Sequence, residues 1–468
     1  MTKIPLAVAP RFYKPLLMAR NAVRFCNLLR SEFGDLVLSR GFFDFYLLNH
    51  PDLVAVMLLN KEGLVDRVNR LNPIYQRIGN IGRSGLATSG AQHWKQQRRR
   101  IAPLFGATAI RGFGETMIAT AESWLARWDA LGRSGKTFNM KDETNELSLE
   151  VNTRCLFNTS LRGDHARLQG WFTVMKEYLE AFPVPVLSDW RVPTPLNLRT
   201  RRALRGFDRY AMQLIEQRRR APLDPDSKDM VTRMLDARDE ESGRGMTDEQ
   251  ICHEMLTFLI AGFESTSSAL LWTFYQLSQH PAVEARVHEE LDRVLGGRGL
   301  TMEDLPRLTY TKRVISEVLR QTPSVWFMAR TAIEDLDLGG NPIKKGSHLL
   351  LSIPALHGHP GLWPDPTRFD PDRFLDDAVA QRSPNAYLPF GRGAHACIGS
   401  HFSLQELLVF TAVLCSRFRV VMAQQRFDPE DVRAGLSVYP RHGIKMRVVR
   451  RELTSARVPP PTTIGAPA

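Results

Sequence analysis

The sequence predicts a mainly α-helical protein with small β-sheets (α+β), folded as a single large domain. Three observations carry that prediction. Long helical patterns dominate, strand-like runs are short and few, and no flexible linker separates two halves. The 468 residues are 43% apolar and 24% charged, a balance that suits a globular chain with a sizeable core. Length by itself leaves the domain count open. There is no internal repeat, and no run of eighteen apolar residues predicts a membrane span. The opening MTKIPLAVAPRFYKPLLMAR is broken by Lys3, Pro10, Arg11 and Lys14, so no signal peptide is expected and the protein is predicted to be cytoplasmic. Residues 1–34 read as an N-terminal segment, 35–450 as the domain, and the Pro-rich 451–468 as a disordered tail.

The formal charge of +12 admits nucleic acid, an anionic membrane or an acidic protein as partner. Lys and Arg are scattered, however, with KQQRRR (Lys95–Arg100) the one dense cluster, which argues against nucleic acid. The strand-like runs are GDLVLSRGFFDFYLLN from Gly34, HLLLSI at His348–Ile353, and KMRVVR at Lys445–Arg450. The clearest helix starts at Thr247, where Gln250 three residues on completes a capping box, and stops at Pro281. Thirty-odd residues make a rod of about 50 Å, apolar on nearly every face, so it should cross the core. At its centre AGFEST (Ala261–Thr266) puts a carboxylate and hydroxyls where they are costly unless used. A second helix, TYTKRVISEVLRQTP, sets Glu317 and Arg320 three residues apart on one face, a pair that is ordinarily a weak surface salt bridge.

Five cysteines (Cys26, Cys155, Cys252, Cys397, Cys415) lie far apart, which excludes a zinc ribbon and speaks against a disulfide scaffold. Cys397 stands out. It sits in FGRGAHACIGS, among Gly391, Gly393 and Gly399, just before an amphipathic helix. The glycines allow tight turns and close approach, and a helix N-terminus favours a thiolate. Such a thiolate is a nucleophile or a metal ligand. His395 is the one nearby base, while a single thiolate suffices for a metal held in a macrocycle.

Phe390, Gly393, His395, Cys397 and Gly399 match the haem-binding signature of the cytochrome P450 family, and HFSLQE continues it through Phe402 and Glu406. AGFEST resembles that family's oxygen-activating stretch, Glu317 and Arg320 its E-x-x-R pair, and FDPDRF (Phe369–Phe374) the segment whose arginine, here Arg373, joins that pair. HWKQQRR resembles its W-x-x-x-R helix. The resemblance spans roughly residues 35 to 450 and implies the cytochrome P450 fold.

It further implies that Cys397 is the axial ligand of haem b, and that Trp94, Arg98, Arg330 and His395 contact its propionates. Phe390 would pack on the thiolate side. Glu317, Arg320 and Arg373 would form a buried network holding the cysteine loop. Glu264 would be the acid and Ser265 the hydroxyl of a proton relay, with Thr266 adjacent but turned about 100° away on the helix. Serine departs here from the family's usual threonine. The substrate pocket would be walled by residues around Ile74 to Leu86, by Phe182 to Trp190, and by Phe258, Leu259, Ala261 and Gly262. Val325, Trp326, Phe327 and Met328, and Leu436, Ser437 and Val438, would complete it.

The implied reaction is insertion of one atom of O₂ into an apolar, lipid-like, terpenoid or polyketide molecule. Electrons from NAD(P)H would arrive through a ferredoxin or flavodoxin and its reductase. About seventy residues follow Cys397, too few for a flavin domain of its own. The protein is expected to be a monomer. The alternatives on the same fold are a peroxide-driven oxygenase or hydroperoxide isomerase, and a non-catalytic haem-thiolate sensor.

Overall fold

The capping box forms as the sequence predicts. The Gln250 amide donates to Thr247 Oγ1 (3.2 Å), and the Thr247 amide to Gln250 Oε1 (3.0 Å). From there the central helix runs over Asp248–Gln279 and ends at His280, with Pro281 opening the next helix. These features belong to a computed structural model that describes residues 3–451 apart from 42, 67–72, 159–164, 182–188, 222–228, 240 and 426. The Pro-rich tail therefore lies outside the described residues, apart from its first residue.

By length and composition the central helix would pass for a membrane span, but 67% of its most apolar window is buried in the protein. It is the axis of the core. Along one side it packs on the helix Met140–Phe157, where Ser267 Oγ donates to Asn145 Oδ1 (2.6 Å) and to Thr144 Oγ1 (3.1 Å). The helices His165–Glu180 and Pro195–Arg220 pack on each other, and the second also packs on the central helix.

Gly262 takes part in the first of these contacts. A Cβ there would lie 2.2 Å from Oδ1 of Asn152, a buried side chain that also donates to the Ser148 carbonyl (2.9 Å). Glycine is thus required by helix-to-helix approach. We expect Gly262→Ala to lower unfolding free energy by about 1–3 kcal/mol, the range for overpacking. Urea titration would show this, with Gly262→Ala/Asn152→Ala recovering part of the loss.

The predicted strands form. Leu36–Ser39 and Phe45–Leu48 pair as a hairpin inside a sheet of six strands among the described residues. His348–Ser352 lies parallel to Phe45–Leu48 and antiparallel to Phe327–Ala332, and Val65–Asp66 closes that edge. The other edge is Leu6–Val8, parallel to Leu36–Leu38. This pairing corrects the boundary expected at residue 34. The N-terminal segment is an edge of the domain's own sheet, and Asn21 Nδ2 ties it to the Glu430 carbonyl (2.6 Å). Lys445–Arg450 pairs antiparallel with Phe418–Met422.

Candidate active site

The loop that carries Cys397 is shaped by two left-handed glycines. Gly391 has φ +68° and Gly393 φ +78°; a Cβ on Gly393 would lie 2.3 Å from the Leu58 carbonyl oxygen, so both conformation and space demand glycine. The amide of Ala396 donates to the Gly393 carbonyl (3.0 Å) and that of Cys397 to the Phe390 carbonyl (2.8 Å), which closes the turn. Gly399 differs from the expectation of a tight turn. Its φ is −85°, and it serves as N-cap of the helix Ser400–Cys415.

Cys397 has accessible surface, yet the protein surrounds the thiol closely enough to desolvate it and push its pKa up. Its accessible face therefore opens inward. Two groups oppose that shift, the Gly399 N–H, which donates to the sulfur, and the charge of Arg98. The other four cysteines are buried; burial pushes Cys26, Cys252 and Cys415 to about 12 and Cys155 well above its ordinary value. Only Cys397 combines access with anion-stabilising neighbours.

Trp94 and Arg98 come from the helix Ala91–Ile101, and the Trp94 ring lies against His395 (centroids 3.8 Å apart). Arg330 is a buried residue of Phe327–Ala332, a strand that abuts the loop, since a Cβ on Gly391 would meet Met328 Cε at 2.7 Å. The central helix reaches the same place from its other side. Thr266 Oγ1 and Ser403 Oγ are 3.2 Å apart, and Ser403 is one turn beyond Gly399.

Around that contact the helix shows Thr257, Ile260, Ala261, Gly262 and Ser265 as its more accessible residues. Ser265 Oγ donates to the Ala261 carbonyl (2.7 Å). Glu264 is not beside it, contrary to the expected acid–hydroxyl pair. Its buried carboxylate is turned to Lys176 of the helix His165–Glu180, with which it forms an ion pair and hydrogen bond. Its carbonyl accepts from the Tyr439 hydroxyl (2.8 Å). Thr266 is rotated away as expected.

Of the predicted pocket residues, Ala261 and Val325 are exposed and Trp326, Phe327, Met328 and Leu436 partly so. Leu259 is fully buried, and Phe258 is buried edge-on against Phe105 (5.0 Å). Ser437 and Val438 are buried too, and the Val438 carbonyl accepts from Ser268 Oγ and Trp272 Nε1 (2.7 and 2.9 Å). The side chains of Phe258, Leu259, Ser437 and Val438 are therefore packed within the protein, while Gly262 is partly accessible. The segment Phe182–Ser188 lies outside the described residues, as do the side chains of Ile74, Tyr75 and Gln76.

The network predicted for Glu317, Arg320 and Arg373 is present and larger than expected. Arg320 Nε and Nη2 grip both Glu317 oxygens (2.7 and 2.6 Å), and both residues are buried. Arg373 Nε stands 3.6 Å from Glu317 Oε1. Arg320 Nη1 also donates to the His357 carbonyl (2.9 Å), while His357 Nδ1 contacts the Arg320 carbonyl (3.1 Å). His357 Nε2 accepts from the Leu388 amide (2.8 Å), two residues before Phe390. Burial pushes His357 down to about 3, so it stays neutral and keeps this acceptor. Tyr387 adds a bond from its hydroxyl to the Ser316 carbonyl (2.9 Å). Sequence reading missed His357, Tyr387 and Lys176, because nothing local distinguishes them.

An inward-facing thiol with an N–H and a guanidinium beside it lies close to a helix showing small and apolar side chains. A Cβ on Gly399 would meet nothing within 4 Å, so the turn beside the sulfur faces open space. These residues fit an iron porphyrin, and they define a haem-thiolate protein. Residues 8–447 match the family model for cytochrome P450, and the chain belongs to that family. It is 35% identical to cyclooctat-9-en-7-ol 5-monooxygenase of Streptomyces melanosporofaciens over 399 residues, 83% of each chain. It is 33% identical to pentalenene oxygenase of Streptomyces avermitilis over 441 residues, 93% of this chain and 94% of that one. The crystal structure of the cytochrome P450DA heme domain superposes with a TM-score of 0.86 at 27% identity, covering 97% of this chain and all of that one. The chain is a haem-thiolate monooxygenase that uses haem b, O₂ and electrons derived from NAD(P)H.

Proposed function

We propose that this monooxygenase oxidises a terpenoid hydrocarbon or alcohol, with Cys397 as the thiolate that would hold the haem iron and Ser265 as the hydroxyl that would hold a proton on the accessible face of the central helix. The observation that carries this reading is the accessible Cys397 thiol, at the start of a helix that the central helix contacts through Thr266 and Ser403, while the central helix turns Ala261 and Ser265 to accessible space on another face. Haem b, when bound, supplies the electron-rich iron at which O₂ is activated. The chain supplies the rest. Gly399 N–H and Arg98 stabilise the sulfur's charge, and Trp94, Arg98, Arg330 and His395 would be the donors that hold two propionates. Ala261, Val325, Trp326, Phe327 and Met328 offer an apolar surface without a fixed charge, suited to a compact hydrocarbon. The two Streptomyces relatives, whose names denote oxygenation of cyclooctat-9-en-7-ol and of pentalenene, support that substrate class.

Ser265 Oγ holds the proton position on the accessible face, while the Glu264 carboxylate is buried and paired with Lys176 away from it. Ser265→Ala is expected to raise hydrogen peroxide released per O₂ consumed severalfold while substrate binding is kept. Unchanged coupling would remove Ser265 from the relay. The electron donor on this reading is a ferredoxin or flavodoxin with its reductase, drawn to a chain of +12 charge. We expect difference spectra to show binding of cyclic terpenes, and turnover to require the donor system. Turnover with peroxide alone would assign the chain to the peroxide-driven reading instead.

A further inference from the structure

The helix Pro195–Arg220 carries eight arginines, and five have partners on the protein. Arg199 pairs with Glu177, Arg218 with Asp229, Arg219 with Asp248 and Arg220 with Glu216, while Arg201 lies over the Trp190 ring. Arg202, Arg205 and Arg209 are exposed and have no ion pair among the described residues. At 100° per residue they share one sector with Leu198 and Met212, all five within about 80°. Leu198 and Met212 are 49% and 43% exposed, so an apolar side chain flanks the cations at each end of a stripe about 21 Å long. The arginines and Asp208 line an open cleft of about 680 Å³, in which the Asp208 carboxylate is already held by Arg83 (2.6 and 3.2 Å). The cleft thus carries uncompensated positive charge. Like charges one turn apart on a helix repel, so this arrangement costs stability in the protein alone.

We propose that this face docks on an anionic phospholipid surface. The arginines would take lipid phosphates in the cleft, and Leu198 and Met212 would enter the headgroup–acyl boundary. A soluble phosphate would use the charge but leave both apolar ends without a role, whereas a bilayer surface offers phosphates to the three cations and the headgroup–acyl boundary to Leu198 and Met212. The contact is peripheral, with the helix lying on the bilayer, and it holds whatever the substrate is.

Flotation of the full-length holoprotein with phosphatidylcholine vesicles, with and without about a third phosphatidylglycerol, tests it. We expect binding to the anionic vesicles alone, weakened by salt. Arg202→Gln/Arg205→Gln/Arg209→Gln should reduce partitioning about 100-fold with an unchanged carbon monoxide spectrum, since each cation near such a surface contributes roughly a factor of five. Lys344→Gln/Lys345→Gln, elsewhere on the surface, should change it far less. Leu198→Ser should weaken the binding that remains at high salt. Absence of wild-type binding, or equal loss in the two arginine and lysine variants, overturns the proposal. So does an arginine-dependent affinity for inorganic pyrophosphate or for an acidic ferredoxin without vesicle binding, which would assign the face to a soluble partner.

Discussion

Cys397→Ser is expected to leave a folded protein that has lost its chemistry. Serine is nearly isosteric, and the loop is held by backbone bonds and glycine conformations that the change does not touch. What changes is the donor atom. A serine hydroxyl does not ionise near neutral pH, so the Gly399 N–H and the Arg98 charge have no anion to stabilise. The reduced, carbon monoxide-treated variant should lack the red-shifted Soret band of a thiolate-ligated haem, and turnover should fall to background. Wild-type stability in urea would show that the fold was kept. A red-shifted band in the variant would mean that another sulfur serves. The candidates are poor, because the other four thiols are buried with their ionisation suppressed.

Much of this site was legible in the sequence because its parts are local. The cysteine loop is a short run in which glycines mark the left-handed turns, and the central helix announces both ends with a capping box and a proline. Where local rules stop, reading failed. Nothing near Gly262 in the sequence shows that glycine is demanded there by Asn152, more than a hundred residues earlier on a packed helix. Glu264 looked like the partner of Ser265 because the two adjoin. Residues one apart on a helix point about 100° apart, and Lys176 on another helix decided where the carboxylate went. His357 gave no signal, since its role exists only through the Arg320 and Leu388 backbone groups brought to it by the fold. The N-terminal segment was set apart because a three-residue strand is too short for a pattern to show.

The second large effect concerns stability. Glu317→Gln leaves the Arg320 guanidinium buried, with Arg373 nearby and no carboxylate between them. Removing one member of a buried pair typically costs about 3–5 kcal/mol, because the remaining charge stays out of water. Against a total of about 5–15 kcal/mol, that is enough to lower the urea midpoint sharply or prevent accumulation of the protein. The cost should not stop at the pair. Arg320 holds His357 at two points, and His357 holds the Leu388 amide just ahead of the loop. The variant's carbon monoxide complex should therefore lose thiolate character under milder denaturant than that which unfolds the rest. A double change, Glu317→Leu/Arg320→Met, removes both charges and should be less harmful than Glu317→Gln alone, although the bonds to His357 and Asp370 go with them. If the double variant loses the sum of the two single losses, the pair does not act as a unit. If Glu317→Gln unfolds late with its spectrum intact, the network is not what holds the cysteine loop.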